Sequence, residues 1–341
     1  MKKTLLLAAL AAASINTYAA TIEGTDETTK YLARAGEISG IAWEMQVAGV
    51  DLCGDRVRYL PGFYRMADGI TGDSEIPVEL LEAFDSSRII AVYPGSPAEA
   101  GGLKPGDTLV AINGKTIPEN RRFTNRNRRE AFTEEALEKA EESAQPLILT
   151  VDRDGQKHDV TITPIRACDI GVIYMPRIFH TMRQPGFAMI SPLVDQFEEK
   201  WQVQAFIAPE IAVSMSENIR RRESVRRIGG FLEGAISMAT GTDIQGITAL
   251  GTTAWYSKPI ALEGDRKALY LLARIGVDVT QVPDFWINVY NLPREGTART
   301  FFGLRPSLED RLEAMNEVIP LILEKQANGE PLIPASVRGR G

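Results

Sequence analysis

The sequence predicts an α+β protein: a β-rich domain followed by a mainly helical domain with a small sheet. Three observations predict it. The chain has 341 residues, a length that suggests about two domains. Between Arg88 and Thr163, short apolar runs alternate with Gly, Pro, Asn and Asp, the punctuation of strands and turns. From Glu198 onward the apolar residues recur at helical spacing, as in amphipathic helices.

Met1 to Ala20 reads as a secretory signal peptide. Lys2 and Lys3 precede an apolar run over Leu5–Ala13, and Thr17-Tyr18-Ala19-Ala20 supplies small residues for cleavage. The apolar run is too short to span a bilayer, which takes about 20 residues. A retained N-terminal anchor is the alternative. The expected location is periplasmic.

The net charge of −7 argues against general nucleic-acid binding. Two basic runs, Arg121–Arg129 and Arg220–Arg227, read as solvated faces. Phe231–Trp255 is apolar but broken by Glu233, Asp243 and several glycines, so no stable membrane span is expected. The cysteines are two, Cys53 and Cys168. In an oxidising compartment an even count predicts a disulfide, with two buried free thiols as the alternative. A bridge would pin the N-terminal helical segment to the exit of the β-rich domain. Two thiols so far apart lack zinc-site spacing.

The elements follow in order. Asp26–Val50 has helical spacing, with Leu32, Ala35, Ile38, Ile41 and Met45 on one side. Arg58–Met66 is strand-like around Leu60-Pro61-Gly62-Phe63, and Val78–Phe84 reads as a short helix. Arg88–Val92 is an apolar strand closed by Pro94-Gly95. Ser96 is an N-cap with Pro97 at the first helical position, and Gly101-Gly102 ends that helix. Pro105-Gly106-Asp107 turns into the strand Thr108–Ile112, and Asn113-Gly114 is a hairpin signal. Thr133–Ala144 is a polar helix, and Leu147–Asp152 with Lys157–Thr163 is a hairpin around Asp154-Gly155. Gly171–Pro176 and Ala188–Ser191 are strands. Glu198–Glu217 is helical, with Pro209 expected to start or kink the helix. Leu262–Ile275 ends at Gly276, and Pro283–Tyr290 and Ser307–Glu324 are helices. Ser307 with Asp310 resembles a capping box. Residues 328–341 form a loose tail.

The stretch Tyr93–Ile112, YPGSPAEAGGLKPGDTLVAI running into Asn113-Gly114, resembles the PDZ domain of bacterial exported proteases. The domain is expected over residues 51–167, after an N-terminal helical segment at 21–50. The resemblance implies peptides or protein C-termini as partners, bound by strand addition. Leu60-Pro61-Gly62-Phe63-Tyr64 matches the carboxylate-binding loop. Gly62 would turn the backbone toward the carboxylate, Phe63 would line the side-chain pocket and Tyr64 would continue the binding strand. The plainer alternative is a turn at Gly62 with Phe63 in the core.

Residues 168–327 resemble the HExxH zinc metallopeptidases of the CAAX-prenyl-protease and HtpX-like family. The resemblance is carried by Gly186-Phe187-Ala188-Met189-Ile190, Tyr256-Ser257, Glu263-Gly264-Asp265, Leu269–Gly276, Asp284-Phe285-Trp286 and Pro306-Ser307. It implies a helix whose two His hold zinc around a Glu that activates water. Here that helix reads Ala208-Pro209-Glu210-Ile211-Ala212-Val213. Pro209 and Val213 stand at the two His positions, and Glu210 alone remains. Glu263 matches the third ligand and Asp265 the acid that supports the site. Arg305 replaces a His before Pro-Ser. The resemblance therefore implies a degenerate site: zinc is expected for the family and predicted lost here, with no cofactor in its place. Glu210 and Glu263 would be two carboxylates facing one cleft.

No rival active site stands out. The histidines are His158 and His180, and no GxSxG elbow is present. The expected function is an exported, peptide-binding pseudopeptidase, an adaptor or regulator in envelope protein quality control with an envelope protease as a possible partner. An active metallopeptidase with a non-standard metal site and a purely structural envelope protein are the alternatives.

Overall fold

The computed structural model describes residues 27–54, 56–65, 87–118, 132–133, 135–142, 144–174, 187–190, 192–215, 258–293 and 306–334. The expected signal segment, the expected helix over Val78–Phe84, both basic runs and His180 lie outside these residues. The chain is α+β. It divides into two compact units, Met1–Gly40 with Tyr59–Ile165 and Ile41–Arg58 with Arg166–Gly341. Helix α1 (Glu27–Ala48) contributes its first part to one and its last part to the other.

In the first unit, Pro61-Gly62 splits the expected strand into β1 (Val57–Leu60) and β2 (Phe63–Arg65). β2 pairs antiparallel with β3 (Ile89–Val92), in register Phe63↔Val92, Tyr64↔Ala91 and Arg65↔Ile89. Ile90 is thus an extra residue, a bulge. A bridge Arg88↔Thr108 leads from β3 to β4 (Thr108–Ile112). β4 pairs with β5 (Lys115–Thr116) and β6 (Leu147–Arg153), and β6 with β7 (Gln156–Ile162). Asn113, Gly114, Asp154 and Gly155 all have positive φ, the backbone that two-residue hairpins need to match strand twist.

Helix α2 (Pro97–Ala100) begins as expected, with Ser96 Oγ accepting the Glu99 N–H at 3.2 Å. Residues 135–141 form helix α3. Leu137 and Ala140 on α3 share a core with Ile89, Leu109, Leu149 and Ile162. Asp107, buried at the start of β4, is held by Arg153 Nε and Nη2 at 2.7 and 2.6 Å. A buried carboxylate needs such a two-pronged cation.

In the second unit, β8 (Ile165–Cys168) pairs with β1. Cys53 and Cys168 form a disulfide with Cα atoms 5.8 Å apart. Its partners lie 115 residues apart, so in the chain-entropy account it stabilises by about 4 kcal/mol. Arg58 Nε meets Asp169 Oδ2 at 2.8 Å. β9 (Gly171–Tyr174) runs parallel to β10 (Phe187–Ile190). Among the described residues four helices follow: α4 (Lys200–Ser214), α5 (Lys258–Arg274), α6 (Val282–Tyr290) and α7 (Leu308–Asn328). α5 stops where expected. Gly276 has φ +84, and the Val277 N–H donates to Leu272 O at 2.9 Å, a Schellman-type close. α7 starts at Ser307, whose Oγ accepts the Asp310 N–H at 3.2 Å.

Pro209 does not start the helix, one of the two outcomes the sequence predicts. α4 starts at Lys200 and continues through Pro209 to Ser214. The proline still removes an N–H that would bond Ala205 O. Burial overrides it: every residue from Val203 to Met215 is buried, and most helical stability in proteins comes from such packing.

Arg274, the last residue of α5, gathers three segments. Its Nη1 donates to Ala48 O at 2.7 Å and its Nε to Leu332 O at 2.9 Å. Both Nη atoms contact the Asp51 carboxylate, Nη2 at 3.0 Å. This hydrogen bonding lowers the Asp51 pKa below 3.8, against the opposing effect of partial burial. A depressed carboxylate contributes stability that is present above its unfolded pKa and lost as pH falls through its folded value. Asp51→Asn is therefore expected to lower stability at pH 7 but not at pH 2. Because Asp51 is half-exposed, the difference should be under about 1 kcal/mol. Urea titrations of both proteins at the two pH values measure it.

Candidate functional site

The first candidate lies at the start of β2. Gly62 has φ +87, a backbone conformation that side chains disfavour. The Pro61 carbonyl accepts the Ala98 N–H at 3.0 Å, and the Gly62 carbonyl accepts the Tyr93 N–H at 3.0 Å. Among the described residues no peptide bond is cis, and a trans peptide points its N–H opposite to its C=O. The Gly62 and Phe63 N–H groups are thus directed away from α2 and β3. Two successive amides aimed this way make a nest that suits an anion.

Side chains alternate along β2. Phe63 is half-buried and packs, with Val92, Phe132 and Ala136, against the core shared with α3. Tyr64, opposite Ala91, takes the other face. β2 stands at the end of the strand order among the described residues. The predicted trio Gly62, Phe63 and Tyr64 is therefore consecutive in one loop and strand, and Phe63 combines the two readings the sequence left open: it touches the core and remains part-exposed. The amide directions were beyond sequence reading, because they depend on hydrogen bonds to Tyr93 and Ala98, about 30 residues away.

The second candidate is the position the sequence resemblance gives to zinc. Pro209 and Val213 lie on α4, and Glu263 and Asp265 on α5. An added Cβ on Gly264 would stand 2.3 Å from Val213 Cγ2 and 3.2 Å from Pro209 O. The two helices therefore touch directly at Pro209 and Val213. Glu263 Oε1 meets Lys267 Nζ at 2.9 Å. Glu210 is buried, and its backbone carbonyl accepts from Ser214 Oγ at 3.0 Å. These residues do not fit a zinc ion: Pro209 and Val213 offer no donor, and the apolar contact at Gly264 occupies the crossing. Among the described residues no group of three His, Cys, Asp or Glu could hold a metal.

Asp265 has a partner that sequence reasoning missed. It is fully buried and pairs with the equally buried Arg311 of α7, Oδ2 to Nε at 3.1 Å. The guanidinium lies over Trp286 of α6, 3.6 Å from the ring centroid. A buried pair of this kind is neutralised by its partner and by the ring face. The signal was present: Arg311 shares one helical face with Ala314, Met315, Val318 and Ile322, all buried. His158 sits on β7 with an exposed side chain, and the disulfide removes both cysteines as nucleophiles.

Comparison with known proteins identifies the first unit. The PDZ-domain sequence profile matches residues 88–125, so the chain contains a PDZ domain. Among solved structures, the HtrA3 PDZ domain bound to a phage-derived ligand (FGRWV) matches with 23% identity and a TM-score of 0.21. That match covers 32% of this chain and 86% of the other. No curated protein matches.

The α4–α5 crossing makes a sharp expectation. Gly264→Ala should destabilise the chain by about 1–3 kcal/mol through overpacking. Val213→Ala in the same chain should recover most of that loss, since it removes the methyl in the way. Denaturant midpoints of the two single variants and the double variant test this.

Proposed function

We propose that this chain binds polypeptides by their free C-termini, with the terminal carboxylate in the Gly62–Phe63 nest and the peptide laid along β2. The observation that supports it most is the pair of amides turned outward by Gly62 at φ +87, at the head of a strand that ends its sheet among the described residues. The PDZ profile match over residues 88–125 adds to it, since PDZ domains take peptides by strand addition. Phe63, with Phe132 and Ala136 part-exposed against the same core, suits an apolar terminal side chain.

In this reading the domain spans 51–167, and Met1–Ala20 directs the chain to the periplasm. The second unit is a metallopeptidase-like scaffold that has lost its zinc, and the whole acts as an adaptor or regulator in envelope protein quality control, with a protease as one partner. The support for the loss is Pro209 and Val213 on α4 and the direct contact of Val213 with Gly264.

Peptides ending in an apolar residue with a free carboxylate are expected to bind at about micromolar Kd, or roughly −8 kcal/mol. Amidated versions should bind much more weakly, because the nest loses its anion. Fluorescence anisotropy with labelled peptide pairs reads this; equal titrations of both forms would sink the assignment. The scaffold reading has its own test. Purified chain should carry no stoichiometric zinc by elemental analysis, and casein should survive it. One zinc per chain that disappears in Glu263→Ala, or chelator-sensitive cleavage, would refute it.

A further inference from the structure

Three buried residues at and beside β3 are not part of the PDZ core. Ile90, Ala91 and Tyr93 are all buried, yet the core cluster holds Ile89 and packs Val92 and includes none of the three. The bulge explains the sorting. Inserting Ile90 between the paired residues Ile89 and Ala91 shifts the alternation, so that Ile89 and Val92 face the core and Ala91 faces away. What covers that outer face is the first part of α1. A Cβ built on Gly36 would lie 2.8 Å from Ala91 Cβ and 4.0 Å from Ile90 Cγ2. One turn on, the buried Ser39 pairs with the buried Tyr93 through their hydroxyls.

These contacts fall on two residues that lie beside the nest, one of which holds it directly. Ala91 is the register partner of Tyr64, and the Tyr93 N–H is the donor that fixes the Gly62 carbonyl. We propose that α1 is a working part of the peptide site: Gly36 and Ser39 are positioning residues that set the Gly62–Phe63 amides by holding Ala91 and Tyr93 from behind. The proposal rests on the C-terminus reading above. The physical reason is the narrow tolerance of such a nest, which must be held to within about 0.5 Å to act. Glycine reaches φ +87 without strain but has the most freedom to leave it, so its neighbours must hold Gly62 there. A shift of β3 by a few tenths of an ångström moves Tyr93 N, then Gly62 O, and then the amide on the far side of the same peptide plane.

The test uses the full chain and one pair of labelled peptides, identical except that one has a free carboxylate and the other an amide. The readout is the ratio of the two affinities, which a general loss of stability would not move. Gly36→Ala should weaken free-carboxylate binding about tenfold and leave amidated binding unchanged, and adding Ala91→Gly should restore the ratio by clearing the 2.8 Å contact. Ser39→Ala should weaken it about threefold to tenfold, and Tyr93→Phe in the Ser39→Ala background should add nothing further. Should Gly36→Ala fail to fold, the Ser39 and Tyr93 variants decide alone. If wild type does not distinguish the two peptides, the C-terminus reading fails and this inference with it. If wild type distinguishes them and every variant keeps the wild-type ratio, the positioning role alone is overturned.

Discussion

A helix must cover as wide a face as it makes apolar, and α1 buries most of its circumference. Leu32, Ile38, Ile41, Trp43 and Met45 are buried, while Ala33, Arg34, Glu37 and Glu44 share one side and stay part-exposed. Its early part is covered by the outer face of β3, where Gly36 allows the backbone to approach Ala91. Its late part is covered by other residues: Glu44 takes Lys200 Nζ at 2.5 Å and Gln204 Nε2 at 2.9 Å, and Gln46 donates to the Ile170 carbonyl. Gly49, just past the helix end, packs on Leu271 and Met215. Each unit therefore covers a part of α1, and strand β2 inherits its support from the same requirement.

Two of the buried carboxylates, Asp107 and Asp265, solve one electrostatic problem in two ways. Asp107 and Arg153 use two parallel hydrogen bonds at the surface of the PDZ core. Asp265 and Arg311 use a single close approach and the face of Trp286. The second arrangement sits inside an aromatic cluster in which Phe206 stacks on Trp286 at 6.0 Å and Phe285 meets Trp286 edge-on at 5.4 Å. A cation there is costly to expose or remove, because its partner would be left buried and charged. That pair ties α5 to α7 across α6 and fixes the helix that carries Glu263 and Asp265.

Much of the PDZ domain could be read directly, because its signals are local. Ser96, Pro97, Asn113-Gly114 and Asp154-Gly155 act through their own backbone angles and the nearest few residues, and each is found where the pattern puts it. The helix ends at Gly276 and Ser307 are of the same kind. Pro209 is the instructive departure. Its local effect is real, but α4 is buried from Val203 to Met215, and packing against α5 outweighs one lost backbone bond.

The sequence by itself determined the α+β order of elements, the turn chemistry, the candidate nest at Gly62 and the absence of imidazoles at positions 209 and 213. These follow from residue identity and short-range backbone preference. The tertiary structure decided what those residues meet. Only it joined Cys53 to Cys168 over the alternative of free thiols, placed Val213 against Gly264, paired Asp265 with Arg311, and set Gly36 and Ser39 behind Ala91 and Tyr93. All four are contacts between residues about 45 or more positions apart. No local preference encodes them; they arise because chain segments with apolar faces must find one another to leave water.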